Sequence, residues 1–186
     1  LAVLYSSQGK FQESEKLQLE ALKLNEKNYG ELSDNYARSL NNIALLYTQM
    51  SAYDESLTYY LRGKNTYEKM GKERSADYAG LLINLGHLYR KMGKDREAEI
   101  SYQKGLEISK ETIGSNHPDY ATALNNLGQL YISAGKVESA QKVLNEAMVI
   151  YENSFGEDHA ASSATLINLA NLYSRSNDYE KAQDYG

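Results

Sequence analysis

The stretch Leu82-Ile83-Asn84-Leu85-Gly86-His87-Leu88-Tyr89 decides the fold. Leu82, Leu85, Gly86 and Tyr89 fall at i, i+3, i+4 and i+7, the stripe of a helix that buries one face. The octet returns 42 residues later as Leu124-Asn125-Asn126-Leu127-Gly128-Gln129-Leu130-Tyr131, and stands 42 residues earlier as Leu40-Asn41-Asn42-Ile43-Ala44-Leu45-Leu46-Tyr47. The same shift aligns Leu4, Leu46, Leu88, Leu130 and Leu172, and beside them Tyr5, Tyr47, Tyr89, Tyr131 and Tyr173. Tyr36-Ala37, Tyr78-Ala79 and Tyr120-Ala121 keep the period as well. A column of five tyrosines at one spacing marks a copied unit, so the chain reads as a repeat array.

Each unit predicts two helices. After the first comes a short polar break such as Gly93-Lys94 or Gly135-Lys136, with glycine suited to end a helix. The second helix carries Ala98, Tyr102 and Gly105, matched by Ala140, Leu144, Ala147 and by Ser56, Tyr60, Gly63. A mid-helix glycine costs about 1 kcal/mol against alanine, so Gly86 and Gly128 need a packing reason. The expectation is that Gly86 and Ala98 let two backbones approach while Tyr89 and Tyr102 fill space on either side. Short linkers separate the units: 30–33, 71–76, 114–118 and 156–159. Pro118 sits where a first helical turn needs no amide donor. The expected organisation is one array over residues 1–186: a partial repeat 1–35, full repeats 36–77, 78–119 and 120–161, and a partial repeat 162–186.

Composition agrees. Among 186 residues there are 17 Tyr against 2 Phe and no Trp, a bias that copying produces more readily than free core filling. No Cys removes disulfides and thiol or Cys-based zinc chemistry. A formal charge of −5 opposes a phosphate backbone, so nucleic acid is not expected as a partner. No apolar run approaches the roughly 18–20 residues of a membrane span, and no signal peptide is visible, which leaves a weak expectation of a cytoplasmic protein. The array opens at Leu1 in mid-pattern and ends at Gly186 inside a second helix, without a polar capping face at either end. The expectation is a fragment of a longer protein whose isolated ends fray or self-associate.

With Leu, Gly and Tyr on the first helix and Ala, Tyr and a small residue on the second, the chain resembles the tetratricopeptide repeat. The long period, the Leu-Asn-Asn segments and Gly114-Ser115-Asn116-His117-Pro118-Asp119 resemble its 42-residue subclass. That subclass is found in kinesin light chains and in bacterial proteins that join such arrays to caspase-like (CHAT) or signalling domains. The resemblance implies an all-α fold, a right-handed superhelical α-solenoid of helix pairs, with first helices lining a concave groove that holds a peptide. Residues 156–160 lack the proline, residues 71–76 lack both histidine and proline, and Ser14 and Ser56 replace the usual small residue of the second helix. These departures predict a less regular superhelix in the N-terminal half.

Opposite the apolar stripe lie Asn42, Leu45 and Gln49; Asn84, His87 and Lys91; Asn126, Gln129 and Ser133; and Asn168, Asn171 and Arg175. A merely solvated face favours better helix formers than asparagine. An asparagine amide can hydrogen-bond a ligand's main chain whatever its side chains. It can equally bond a neighbouring helix and hold repeat geometry, and both readings stay open. The first helices from Tyr36, Tyr78, Tyr120 and Ser162 onward carry only Arg38, Arg90, Lys91 and Arg175 as charges, while acids crowd the second helices at Glu13, Glu15, Glu20, Asp95, Glu97, Glu99 and Glu107. A lightly basic inner face under an acidic exterior would favour an acidic peptide.

Other chemistry finds little support. His117 and His159, one period apart beside Asp119 and Asp158, fall short of the three or four ligands of a zinc site, so a loop-structuring role is expected and no metal or cofactor. His87 has no Ser or Cys partner at readable spacing, which makes it a ligand contact before a catalyst. Gly63, Gly71, Gly86 and Gly93 form no phosphate-binding run, and Asp54-Glu55 is a solvated pair. The expected function is a binding module for protein or peptide, an adaptor or sensor part of a larger protein, and not an enzyme. The alternatives are a structural spacer or self-assembly module, or the regulatory part of a flanking enzyme.

Overall fold

The computed structural model describes residues 2–156 and 160–175, apart from the side chains of residues 3 and 161. Over these the chain is helical throughout: α1 (Ala2–Ser7), α2 (Phe11–Tyr29), α3 (Asp34–Gln49), α4 (Tyr53–Lys69), α5 (Ala76–Lys91), α6 (Asp95–Thr112), α7 (Pro118–Ser133), α8 (Val137–Phe155) and α9 (Ala160–Arg175). The first helices α3, α5 and α7 pack most extensively on the second helices that follow them, α4, α6 and α8, and each pair then leans on the next. The fold is an α-solenoid. Neighbouring first helices also touch (α3 with α5, α5 with α7, α7 with α9), whereas no comparable contact joins neighbouring second helices among the described residues. The stack therefore closes toward its first helices.

Local chemistry sets the helix ends. Ser33 and Ser75 accept from the backbone N–H of Tyr36 and Tyr78, at 3.3 and 3.2 Å, and cap α3 and α5. At α7 the imidazole Nδ1 of His117 takes that part, accepting from Asp119 N–H at 3.1 Å, with Pro118 opening the helix. Histidine thus structures this loop, as expected; His159 lies outside the described residues.

The repeated stripe is the core. Leu40, Ile43, Leu82, Leu85, Leu124 and Leu127 are buried, as are Tyr60, Tyr102, Leu144 and Ala147 of the second helices. Tyr173 and Tyr131 are buried too, while Tyr47 and Tyr89 are half-buried.

Gly86 and Gly128 face side chains of the second helix, not its backbone as expected. A Cβ on Gly86 would lie 2.9 Å from the Tyr102 ring, and one on Gly128 would lie 2.5 Å from Leu144. These glycines make room for a large side chain of the second helix. Backbones come closest at Gly105, whose added Cβ would meet the Ala79 carbonyl at 3.1 Å and Ile83 at 2.7 Å.

Ser14 and Ser56 are not irregularities either. Ser14 Oγ donates to the Ala2 carbonyl at 2.9 Å and Ser56 Oγ to the Ala44 carbonyl at 2.7 Å, both 12 residues back. Where the facing first-helix residue is Ala (Ala2, Ala44), the second helix carries Ser. Where it is Gly (Gly86, Gly128), the second helix carries Ala98 or Ala140. The N-terminal pairs are tied by a buried hydrogen bond and the later ones by closer packing.

Candidate functional site

The helix ends revise the charge map of the first helices. α3, α5 and α7 include Asp34, Asp77 and Asp119 in their first turns, where a carboxylate favours the helix dipole. The reading of first helices without carboxylates fails because these helices begin at Asp34, Ala76 and Pro118, two residues ahead of the Tyr36, Tyr78 and Tyr120 from which they were counted. Arg38 is bound to Asp77 of the next first helix at 2.7 Å, so it serves repeat geometry rather than a ligand. Lys72–Asp34 at 2.6 Å, Lys136–Glu99 at 2.7 Å and the Arg74–Glu111 pair cross unit boundaries in the same way. Being exposed and screened by solvent, these pairs add little stability and serve register.

The asparagine column divides. Asn84 Nδ2 donates to Asn41 Oδ1 at 3.2 Å, and Asn168 Nδ2 donates to Asn125 Oδ1 at 2.8 Å, each bond joining neighbouring first helices. Asn126 would reach the residue equivalent to Asn41 and Asn125 in the preceding unit, but that residue is Ile83. Among the described residues the side chains of Asn126, half-buried, and Asn42, exposed, have no hydrogen bond within the protein. Asn41 and Asn125 were missed as members of this surface. Their signal was legible as the residue before the column, Asn in two units and Ile in a third.

The remaining site candidates fall into three groups. Asn42 and Leu45 line a small cleft with Gln49, whose side-chain oxygen accepts from Ser6 of α1. Gln129, Asn168, Asn171 and Arg175 line an open cavity of about 400 Å³ between α7 and α9, which also takes in Ile132, not expected from the sequence. On α5, Lys91 is exposed and His87 half-buried. Burial, then the charges of Arg90 and Lys91, hold the His87 imidazole neutral and push its pKa down to about 4. Arg90 turns toward the pair interior: its Nε is enclosed without a hydrogen bond, and its charge acts on the Tyr102 hydroxyl, which burial pushes up to about 12. Lys91 and Arg175 are left as the inner cations without an ion pair among the described residues.

Among the described residues no three His, Asp or Glu side chains gather as a metal cluster would, and no helix is long and apolar enough to cross a membrane.

Helix pairs at a fixed period, stacked so that first helices touch first helices, define a repeat solenoid. The chain belongs to the tetratricopeptide repeat family, whose model matches residues 1–69, 77–152 and 135–186. Domains of this family generally serve as protein-interaction modules. No curated protein matches the chain. Among solved structures it is similar to BtubC (BKLC) from P. vanneervenii, with 29% identity and a TM-score of 0.88 over 100% of this chain and 74% of that one. It is also similar to the nearly identical TPR-like repeats of a putative kinesin light chain from Podosopora anserina, at 20% identity and a TM-score of 0.82, covering 100% of this chain and 88% of that one. A Rap protein complexed with Competence and Sporulation Factor has the same fold at 16% identity and a TM-score of 0.71, over 99% of this chain and 59% of that one.

Proposed function

We propose that the first-helix surface binds an extended protein segment, reading its main chain through asparagine amides and its charge through Lys91 and Arg175. The observation that carries this is the free amide of Asn126. It is half-buried on a surface where two of its three counterparts, Asn84 and Asn168, are bonded to Asn41 and Asn125. An amide kept unsatisfied inside the protein and reachable from outside can give and take the hydrogen bonds of a peptide unit. The adjoining cavity with Gln129, Asn171 and Arg175 extends the same surface. Its cations favour a segment that carries a carboxylate.

The test titrates fluorescein-labelled acidic and basic peptides of equal length by fluorescence polarisation at two salt concentrations. Tighter binding of the acidic peptide, weakened by salt and by Asn126→Ala with Arg175→Ala, supports the reading; a preference for the basic peptide sinks it. The bonds Asn84–Asn41 and Asn168–Asn125 favour a second reading, a spacer without a free ligand. That reading requires Asn42→Ala with Asn126→Ala to leave partner capture by the full-length protein untouched.

A further inference from the structure

On the outer side of the solenoid, successive units are latched by one recurring contact. Tyr47 of α3 donates its hydroxyl to Glu15 of α2, and Tyr131 of α7 donates to Glu99 of α6 at 3.0 Å, each pair 32 residues apart. Glu99 also receives Lys136 at 2.7 Å. The same spacing leads from Tyr89 of α5 to Leu57 of α4, which offers no acceptor. Two donors thereby lack the acceptor their counterparts have: Tyr89, and Lys94, which stands one period before Lys136. Neither the Tyr89 hydroxyl nor the Lys94 ammonium has a hydrogen bond or ion pair among the described residues.

Where the latch is missing, the surface opens. A cavity of about 340 Å³ lies between α4, α5 and α6, with Tyr89 in its lining and Tyr78, Leu82 and Leu85 beneath. These four recur every three or four residues along α5, on the side opposite Asn84, His87 and Lys91. Two apolar side chains stand exposed at its rim, Leu61 at 45% and Ile100 at 58%. One unit further on, the residues equivalent to this rim are polar, Gln103 and Lys142, and Gln103 donates to the Tyr131 hydroxyl at 3.4 Å.

We propose that this outer groove docks a protein segment presenting one carboxylate beside a leucine- or phenylalanine-sized side chain. The carboxylate takes the place that Glu99 holds in the neighbouring unit and receives Tyr89 and Lys94. The apolar side chain lies between Leu61 and Ile100 over Leu82 and Leu85. Lys64 and Lys104, also in the lining, are already paired with Glu68 and Glu107 at 2.6 and 3.4 Å, and Glu97 adds a negative charge at the rim. One carboxylate is therefore accepted and a run of acids disfavoured. The groove lies on the face opposite the peptide surface proposed above and stands independently of it.

The test follows backbone amides by two-dimensional NMR while the ¹⁵N-labelled protein is titrated with Ac-Gly-Leu-Glu-Gly-NH₂, its Leu-Gln and Ala-Glu analogues and the reversed Glu-Leu peptide. The expected result is perturbation of α4, α5 and α6 around Leu61, Tyr89 and Ile100, with the Gln and Ala analogues about fivefold to tenfold weaker. Leu57→Glu, which supplies the missing latch, abolishes the perturbation. Tyr89→Phe with Lys94→Met, which removes both donors and keeps a ring and an unbranched apolar chain in their places, weakens it about tenfold. The proposal is overturned if these amides stay unmoved at peptide concentrations on the order of 10 mM or if the donor-deleted variant binds as well as the parent. Perturbation confined to the inner face around Asn126 overturns it while supporting the inner surface. Amide shifts at the groove that depend on dilution of the protein alone assign it to a second copy of the chain and overturn the peptide occupant.

Discussion

The side-chain amide of Asn168 donates to that of Asn125 across 2.8 Å, and the same rung joins Asn84 to Asn41 at 3.2 Å, fastening one first helix to the next. A repeat family that needs its units stacked can spend an asparagine this way, and the residue is then structural even though it faces the inner surface. The rung is absent at Asn126 because Ile83 cannot reciprocate. Asn84→Ala should therefore lower stability by about 0.5–1.5 kcal/mol, with most of that loss shared with Asn41→Ala in a double-mutant cycle. Asn126→Ala should leave urea unfolding nearly unchanged. Equal losses at the two positions would show that the column has one role throughout.

The glycines of the helices should respond with opposite signs. Gly80, inside α5, has nothing within 4 Å of an added Cβ, so Gly80→Ala should stabilise by about 0.5–1 kcal/mol through helix propensity alone. Gly105→Ala gains the same propensity but drives its methyl to 2.7 Å from Ile83 and 3.1 Å from a backbone carbonyl that cannot swing away. Overpacking of that kind costs about 1–3 kcal/mol, so the net change should be destabilising. Melting temperatures of the two variants, measured side by side, decide it.

The repeat, the helix pairing and the buried stripe were legible because each is a periodic sum over several copies, and noise at one position cannot erase it. The residues that depart from the period were harder to read, because their meaning lies in a partner 12, 32 or 43 positions away. Ser56 looked like a defect until the Ala44 carbonyl was seen opposite it. Leu57 carries no mark of its own in the sequence; its meaning comes from Glu15 and Glu99, which hold its place in the neighbouring units and accept a tyrosine hydroxyl. The helix starts at Asp34 and Ala76 escaped because the repeating column first shows at Tyr36 and Tyr78, two residues further on, so the inner face was counted without Asp34 and Asp77.

His87 gives the fold a pH dependence of known sign. Its pKa falls from 6.5 to about 4 in the folded chain, so between those values the unfolded chain binds the proton more readily. Its neutral form is the one the fold accommodates. Stability is intact above pH 6.5 and is lost progressively as the pH falls toward 4. Urea midpoints of the parent and of His87→Gln, compared across this range, should diverge as the pH falls, the parent losing more. Parallel curves would mean that the imidazole is as free to charge in the folded chain as in the unfolded one.

Ser51 breaks a glycine column. Gly9, Gly93 and Gly135 follow their first helices with φ of 74°, 71° and 70°, and Ser51 holds the equivalent place at φ 60°. The geometry is enforced by the turn: Ala52 N–H bonds the Tyr47 carbonyl at 2.9 Å, as Lys94 does with Tyr89 and Lys136 with Tyr131. A side chain in the left-handed region costs about 1–2 kcal/mol, whereas glycine enters it freely but adds about 0.4–1 kcal/mol of entropy to the unfolded chain. The first effect is the larger, so Ser51→Gly should raise stability by roughly 0.5–1 kcal/mol, while Ser51→Val, branched at Cβ, should lower it. Chemical denaturation of the three proteins in one buffer checks the order Gly, Ser, Val. If Ser51→Gly proved the least stable, the turn after α3 would have to draw on contacts of the serine side chain that outweigh its backbone strain.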